Sequence, residues 1–577
     1  MNTFFIPDKI AVSITADQFR TGIVTMVVKN GIPFKFFESD GFNIIIGEMA
    51  TKLKVSLDKQ QIRNYVLNAG NEMKEKMKEE FKNRFLYLKF DCATRLCVNY
   101  LGLNVRFVDD QGLGITRTLA VVDTESRHTS SELKEIINGV LQDYDIPLAN
   151  IICCVTDNAT NMVKLVSMMN EDLQQNEEVE SETEENETLP GTLDLESSVP
   201  INCAHMRCAV HTLQLAINDG LKETASGVVA KLRNVAKEAR SPKINEQLRR
   251  RAKKVALLDQ ETRWGSTYLM IDRLIELKSF IEEMADVGNT RLNLSSFEWE
   301  QAISLRDLLK KAHLITKSLQ YENLTPGYFY RKWSGLKLFY QDHGSSLADA
   351  IAHSMQKREK ELLSNGMLLA AVLSDVSNMD LLPPDHEIKG KETLINLVLR
   401  IKGLEDEEND ATVLDLQVSV SLTDSDSDEE FRAVRKKQKL NVGIEEASVF
   451  DDSGEECNIN LTQPPTVTRS SSSSNSGHIS GEIQPQPLSQ RQFIRSSVLK
   501  GLETLKESRK ELKTLSDPIS QYPDVLKDAA RLLRAMPPTQ VSVERLFSAL
   551  KIFKSDLRSC LKADILNALL LLKANMN

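Results

Sequence analysis

Apolar and polar positions change their period several times along the chain. They alternate over residues 85–90, a run that stops at Asp91, and the strand pattern returns over residues 100–108 and 114–122, on either side of the turn-forming Asp109-Asp110-Gln111-Gly112. Three successive strands at this spacing predict an antiparallel meander. Thr129-Ser130-Ser131-Glu132 has the spacing of a capping box, in which hydroxyl and carboxylate each satisfy a backbone N–H. It opens a helix to about Tyr144, with Leu133, Ile136, Ile137, Val140 and Leu141 on one face. Residues 151–156 form another apolar strand ending at Asp157, and a helical pattern starts at Asn161. Strands, helix, strand and helix in this order predict an α/β layer over residues 85–170.

From Ala204 the spacing is helical with little interruption, through residues 204–218, 225–239, 268–284, 299–320 and 328–355. Residues 201–402 therefore predict an all-α body. Residues 1–84 predict a helical segment ahead of the sheet, and residues 498–577 end in an apolar helical stretch from Val541. Two segments break the pattern, 171–200 and 403–490, the second containing an acidic run, Arg435 to Lys439 and a serine-rich stretch at 470–476. Chains of this composition bury too little apolar surface to fold, so both are expected to be disordered linkers. No fixed-period repeat is present.

Composition changes this picture in three ways. At 577 residues the chain exceeds what one core ordinarily organises, so at least two folded bodies are expected. The formal charge of −10 is misleading, because residues 171–200 and 405–430 hold eleven Asp and Glu each and no Lys or Arg, which leaves the rest net basic. Eight cysteines at irregular positions do not make a disulfide framework and point to a reducing compartment. No signal-like start and no uncharged run of about 20 apolar residues is found, so no membrane partner is expected.

Several stretches carry residues suited to chemistry. Asp91 and Asp157 follow apolar strands, and two carboxylates on adjacent strand ends suit a hard divalent cation; each alone also reads as a turn former. Cys203, His205, Cys208 and His211 fall within nine residues and are of the right types for zinc, although structural sites usually draw their pairs from separated elements; a packed helix with a buried thiol fits the same residues. Arg263 and Trp264 join a guanidinium to an indole just ahead of a helix, fit to grip phosphate and stack a base, or simply to anchor a core. The basic cluster at 249–254 reads either as a phosphate-neutralising patch or as a solvated helix face, and residues 435–439 read as an import signal in an accessible linker. Glu544 and Arg545 lie in the first turns of a helix that follows Pro537-Pro538, where a glutamate also answers the helix dipole.

Taken in order, LKFDCATRLCVNYLGLNV, TRTLAVVD, VTDNATNM, RCAVHTLQLAINDGL, ETRWGSTYLMIDRL and VSVERLFSALKIFKSDLR resemble the hAT transposase superfamily, in its branch related to BED zinc-finger proteins. The resemblance implies an RNase H-like catalytic core interrupted by a long α-helical insertion, with a C-terminal dimerisation region completing the core. It aligns Asp91, Asp157 and Glu544 with a catalytic acidic triad, Arg545 with the arginine beside it, Cys208 and His211 with a C-x-x-H pair, and Trp264 with a tryptophan near the DNA end. Two positions depart from the pattern: Ala93 stands where many members have tryptophan, and Val541 where many have serine. No paired-Cys, paired-His finger is found before residue 85.

The implied activity is metal-dependent DNA strand cleavage and transfer in the nucleus. Such chemistry uses two Mg²⁺ or Mn²⁺ ions about 3.5 to 4 Å apart, one activating the attacking oxygen and one stabilising the leaving oxygen. DNA and a second copy of the chain are the implied partners. The reading of the C-terminal helix agrees: Leu546, Phe547, Leu550, Phe553, Leu557, Leu561, Ile565, Leu569 and Leu572 recur mostly at three- and four-residue steps, a face that wants a partner or a core. A second reading keeps the fold and the dimer without catalysis, as a DNA- or protein-binding regulator.

Overall fold

Residues 86–90 bury every side chain, and the alternation sends them to two different cores. The computed structural model describes residues 13–125, 129–184, 203–260, 264–403, 490–515, 517–554 and 561–576, the side chains of 175–184 excepted. One unit comprises residues 1–410 with 498–577; of a second, 411–497, only residues 490–497 are described.

The sheet has five strands in the order β3-β2-β1-β4-β5: β1 (Leu86–Arg95), β2 (Val98–Val108), β3 (Gly114–Asp123), β4 (Ile151–Thr156) and β5 (Ala204–Arg207). The first three form the expected antiparallel meander, whereas β1–β4 and β4–β5 are parallel. Ahead of the sheet come α1 (Ala16–Asn30), α2 (Asp40–Lys52) and α3 (Lys59–Phe81); α4 (Ser130–Asp143) and α5 (Thr160–Glu184) flank β4. Thr129 and Glu132 make the capping box, with N–H···O distances of 3.3 and 3.1 Å. Leu86, Leu88 and Phe90 pack with Leu133, Ile137, Leu165 and Met169 on one face of the sheet.

After β5 the unit is helical: α6 (Ala209–Thr224), α7 (Ser226–Ala239), α8 (Pro242–Arg250), α9 (Trp264–Glu276), α10 (Lys278–Asp286), α11 (Ser296–Ser318), α12 (Pro326–His343), α13 (Ser346–Leu362), α14 (Gly366–Leu373) and α15 (Pro384–Ile401). The described C-terminal part holds α16 (Gln490–Glu507), α17 (Arg509–Leu512), α18 (Asp524–Ala535), α19 (Val541–Phe553) and α20 (Ala563–Asn575). The opposite face of the sheet receives this part. Tyr87 donates to the Leu532 carbonyl at 2.6 Å, Arg106 Nε to that of Ala535 at 2.9 Å, and Tyr100 and Val121 pack with Val543, Leu546 and Phe547. Helix α20 closes the free edge of β3, where Asn575 exchanges bonds of 3.0 and 2.9 Å with Thr118 and Asn567 accepts from Val121 N–H at 3.0 Å. An open edge would otherwise invite pairing with another chain.

Four expectations are corrected. The first strand does not stop at Asp91 but runs to Arg95, because β2 continues the ladder opposite it, Asp91 facing Gly102. Residues 204–207 are a strand, not the start of a helix; four residues at a sheet edge are too few to show a period. Helix α5 continues to Glu184, into the acidic run read as linker, since Leu173 is buried, Asp172 pairs with Lys134 at 2.7 Å, and Asn170 bonds both backbone groups of Cys203. The helical pattern over 328–355 is two helices, broken where Gly344 adopts φ +73° and Ser345 caps α13. The remainder of the first linker, 185–200, and nearly all of the second, 404–489, lie outside the described residues, and the import-signal reading of residues 435–439 falls there with them.

Candidate active site where β1 and β4 part

The ladder between β1 and β4 ends at Lys89 and Val155. Beyond that pair the strands separate, β1 staying with β2 while β4 ends at Thr156, and the crevice that opens past strand ends is where α/β sheets hold ligands. The Gln540 amide closes the base of this fork. Its Nε2 donates to the Phe90 carbonyl at 2.5 Å and the Val155 carbonyl at 3.4 Å, satisfying both strands just where their ladder stops. Gln540 is the N-cap residue of α19, and its own carbonyl accepts from Val543 and Glu544 N–H groups. A second tie joins the same elements: Cys208 N–H donates to Thr156 O at 2.7 Å and Ala209 N–H to Pro538 O at 2.8 Å.

Asp91 and Asp157 stand on the two arms of the fork. Asp91 Oδ1 accepts from Cys92 N–H at 2.8 Å, and Asp157 Oδ1 from Ala159 N–H at 2.9 Å. Both carboxylates act on one group: the Cys92 thiol is pushed up to about 12, first by burial and then by the charges of Asp91 and Asp157. Glu544, one turn into α19 and exposed, acts on a different thiol, adding to the burial that raises Cys208 to about 11. The fold thus places Asp91 and Asp157 on the two arms of one fork and the helix of Glu544 over the same strand ends. Among the described residues no three His, Cys, Asp or Glu side chains are grouped closely enough to hold a metal ion.

The other sequence candidates are placed as follows. Arg545 is engaged by the loop between α11 and α12, pairing with the Glu322 carboxylate at 3.2 Å and the Gln320 carbonyl at 3.1 Å. Trp264 is fully buried at the start of α9, edge-on to His313, which is the core-anchor arrangement. Arg263 lies outside the described residues. Cys208 caps α6 with a buried thiol, His211 sits in the first turn, His205 Nε2 lies 2.8 Å from Thr156 Oγ1, and Cys203 Sγ lies 3.4 Å from Cys154 Sγ. Cys203, His205 and Cys208 are packed or hydrogen-bonded where they stand.

Sequence reasoning missed the cations beneath the site. Lys89 and Arg106 are buried on the α18–α19 side, and burial first, then Arg106, takes the Lys89 ammonium down to about 7. A lone lysine in a strand gives no signal of this. The dimer argument from helix periodicity is also corrected: Leu546, Phe547, Leu550, Phe553, Ile565, Leu569 and Leu572 are buried within their own chain against α1, α3 and β3, so they are not an unpartnered face. Leu557 lies outside the described residues.

Three stretches of the chain match described families. Residues 93–185 match the ZBED1 RNase-like domain, 206–308 the ZBED1 RNase-like helical domain, and 501–576 the hAT family C-terminal dimerisation region. Over these stretches the chain is similar to the hAT family. A Zea mays protein named as an AC transposase is 24% identical to this chain over 54% of its length and 38% of the relative's. A Talaromyces stipitatus protein named as the transcriptional regulator tpeD is 24% identical over 53% and 38%, and the zinc finger BED domain-containing protein RICESLEEPER 3 of Oryza sativa subsp. japonica is 23% identical over 58% and 43%. The chain therefore spans about two fifths of the length of the curated relatives it matches. Among the described residues no helix is long and apolar enough to cross a membrane.

Proposed function

We propose that this chain is a nuclear, DNA-binding, self-associating transposase of the DDE type, in which an RNase H-like core uses Asp91, Asp157 and Glu544 for metal-dependent strand cleavage and transfer. The observation that carries the reading is the fork: two carboxylates on diverging arms of one sheet, with the helix that bears the third acid anchored there by Gln540. The donor set fits Mg²⁺ or Mn²⁺, since Mg²⁺ is usually held by one or two carboxylates with substrate phosphates and water completing its shell. Asp91 and Asp157 would be the holding pair, with Glu544 the third acid on the helix anchored beside them. When bound, such ions supply an activated oxygen nucleophile and stabilise the leaving oxygen. The protein's own part is to orient: Gln540 fixes the angle of α19, and Arg545 is positioned by Glu322 until a phosphate competes for its guanidinium. The dimerisation-region match supports self-association.

The test is cleavage of a duplex bearing a terminal inverted repeat, in Mn²⁺ or Mg²⁺, by the wild type and by Asp157→Asn. Loss of cleavage in the variant with duplex binding retained is expected, and equal cleavage by both proteins removes the assignment. One observation favours a second reading, a non-catalytic DNA- or protein-binding regulator: the three acids do not form a closed cation cage by themselves. Duplex binding with no cleavage by either protein selects it.

A further inference from the structure

A cleft of about 230 Å³ lies between the N-terminus of α12, the turn after α14 and the C-terminal half of α18. It is built from other elements than the fork of β1 and β4. Its polar groups are of both signs. Asn378 is 3% exposed and lines the cleft; its Nδ2 donates to Asp375 Oδ2 at 2.6 Å, while its Oδ1 has no hydrogen-bond partner among the described residues. The Asp375 carboxylate stands beside it, close against Gly327, whose missing side chain makes room for it. These groups ask for N–H donors, because a buried acceptor left without one costs about 1 to 3 kcal/mol.

The cleft also carries cations. Arg331 and the half-exposed Arg534 line it, Arg534 held only loosely by Asp517 at 3.5 Å. Arg509 and Lys513 add to the positive charge nearby: the Lys513 ammonium is pushed down by burial first and then by Arg509 and Arg331, with Asp375 opposing. The Tyr328 and Tyr522 rings line it as well, Arg331 lying 5.3 Å over the Tyr328 ring and Tyr522 fixed by donating to Ser374 O at 3.0 Å. Buried acceptors, guanidinium forks and aromatic rings in one cleft match one chemical class. The volume falls below the usual range of about 300 to 1,000 Å³ for ligand sites, so the cleft takes no more than a single unit of it, part of which stays in solvent.

We propose that this cleft binds a nucleotide whose base carries an exocyclic amine, the amine donating to Asn378 Oδ1 and Asp375 and the phosphate held by Arg331 and Arg534. Guanidinium groups grip phosphate through paired N–H donors, and bases stack on aromatic faces with little dependence on sequence. The nucleotide is either free or one residue of a single strand. This goes beyond the strand-cleavage reading and stands without it.

Calorimetric titration of the full chain with dAMP, dTMP, deoxyadenosine, inorganic phosphate and the single strand d(A)6 tests it. Binding of dAMP is expected, about tenfold or more tighter than dTMP, deoxyadenosine or phosphate alone. Arg534→Ala, an exposed position that leaves the fold intact, weakens dAMP by about tenfold, the loss of one charge-assisted contact. If d(A)6 binds more tightly than dAMP and loses the same factor in that variant, the ligand is a strand nucleotide; if dAMP binds at least as tightly, it is a free one. No dAMP binding by folded wild type, equal binding of dTMP, or full affinity in Arg534→Ala overturns the proposal. Asp157→Asn leaves dAMP affinity unchanged, so failure here and failure of the cleavage reading are separate results.

Discussion

The Gln540 amide donates to the Phe90 carbonyl at 2.5 Å, across 450 residues of sequence. This bond decides where the helix of Glu544 stands, because Phe90 immediately precedes Asp91 and Gln540 begins α19. Gln540 is 2% exposed, so neither strand carbonyl finds water as a replacement.

Gln540→Ala is therefore expected to lower the unfolding free energy by about 1 to 3 kcal/mol, the cost of buried polar groups left unpaired. Urea denaturation reads the effect through its midpoint. An unchanged midpoint would show that the fork is held by other contacts.

Gly102 faces Asp91 across the β1–β2 ladder, and a Cβ there would meet Val543 Cγ1 at 3.0 Å and Phe547 Cζ at 3.1 Å. Helix α19 sits this close to the sheet only because the position has no side chain. Gly102→Val is expected to cost about 1 to 3 kcal/mol by overpacking and, under the proposed strand-cleavage reading, to reduce cleavage by displacing Glu544. The thermal unfolding midpoint should fall, and a variant as stable as the wild type would refute this account of α19.

His205 gives a pH dependence. Thr156 Oγ1 donates to the Asp157 carbonyl, so the imidazole Nε2, 2.8 Å away, must itself donate, which assigns the neutral Nε2–H tautomer. Burial, with Arg207 second, takes this group from 6.5 down to about 4. The unfolded chain then binds a proton between pH 6.5 and 4 that the folded chain does not, so this contribution to stability is complete above pH 6.5 and is lost as pH falls towards 4. His205→Gln should flatten the stability profile across that window. The same slope in both proteins would assign it to other groups.

Leu569 lies in the stretch matched to the dimerisation region and is 2% exposed inside its own chain. Leu569→Ala is expected to cost about 2 to 5 kcal/mol of unfolding free energy, as cavity-forming substitutions do. Denaturation and sedimentation measured together decide the matter. A variant of wild-type stability that becomes monomeric would return this helix to the interface.

Much of the core could be read from period alone. Strands β2, β3 and β4, the capping box at Thr129 and Glu132, and the meander all follow from local alternation and short-range side-chain chemistry, which leave a mark within a few residues. The edge strand β5 left none, since its four residues gain their conformation from Cys153, Cys154, Val155 and Thr156 beside them. The break at Gly344 was written in a glycine followed by serine, but the apolar spacing on both sides concealed it.

Sequence by itself determined β2, β3, β4, most of the helices and the acidic side chains at Asp91, Asp157 and Glu544, because these depend on side chains close along the chain. Tertiary structure alone decided that Asp91 and Asp157 share a fork, that Gln540 seals its base and that the leucines of α20 face inward. The physical reason is distance along the chain. Contacts between residues hundreds of positions apart form only when two faces of the sheet are covered, and an apolar helix has the same spacing whether it covers its own sheet or that of another copy.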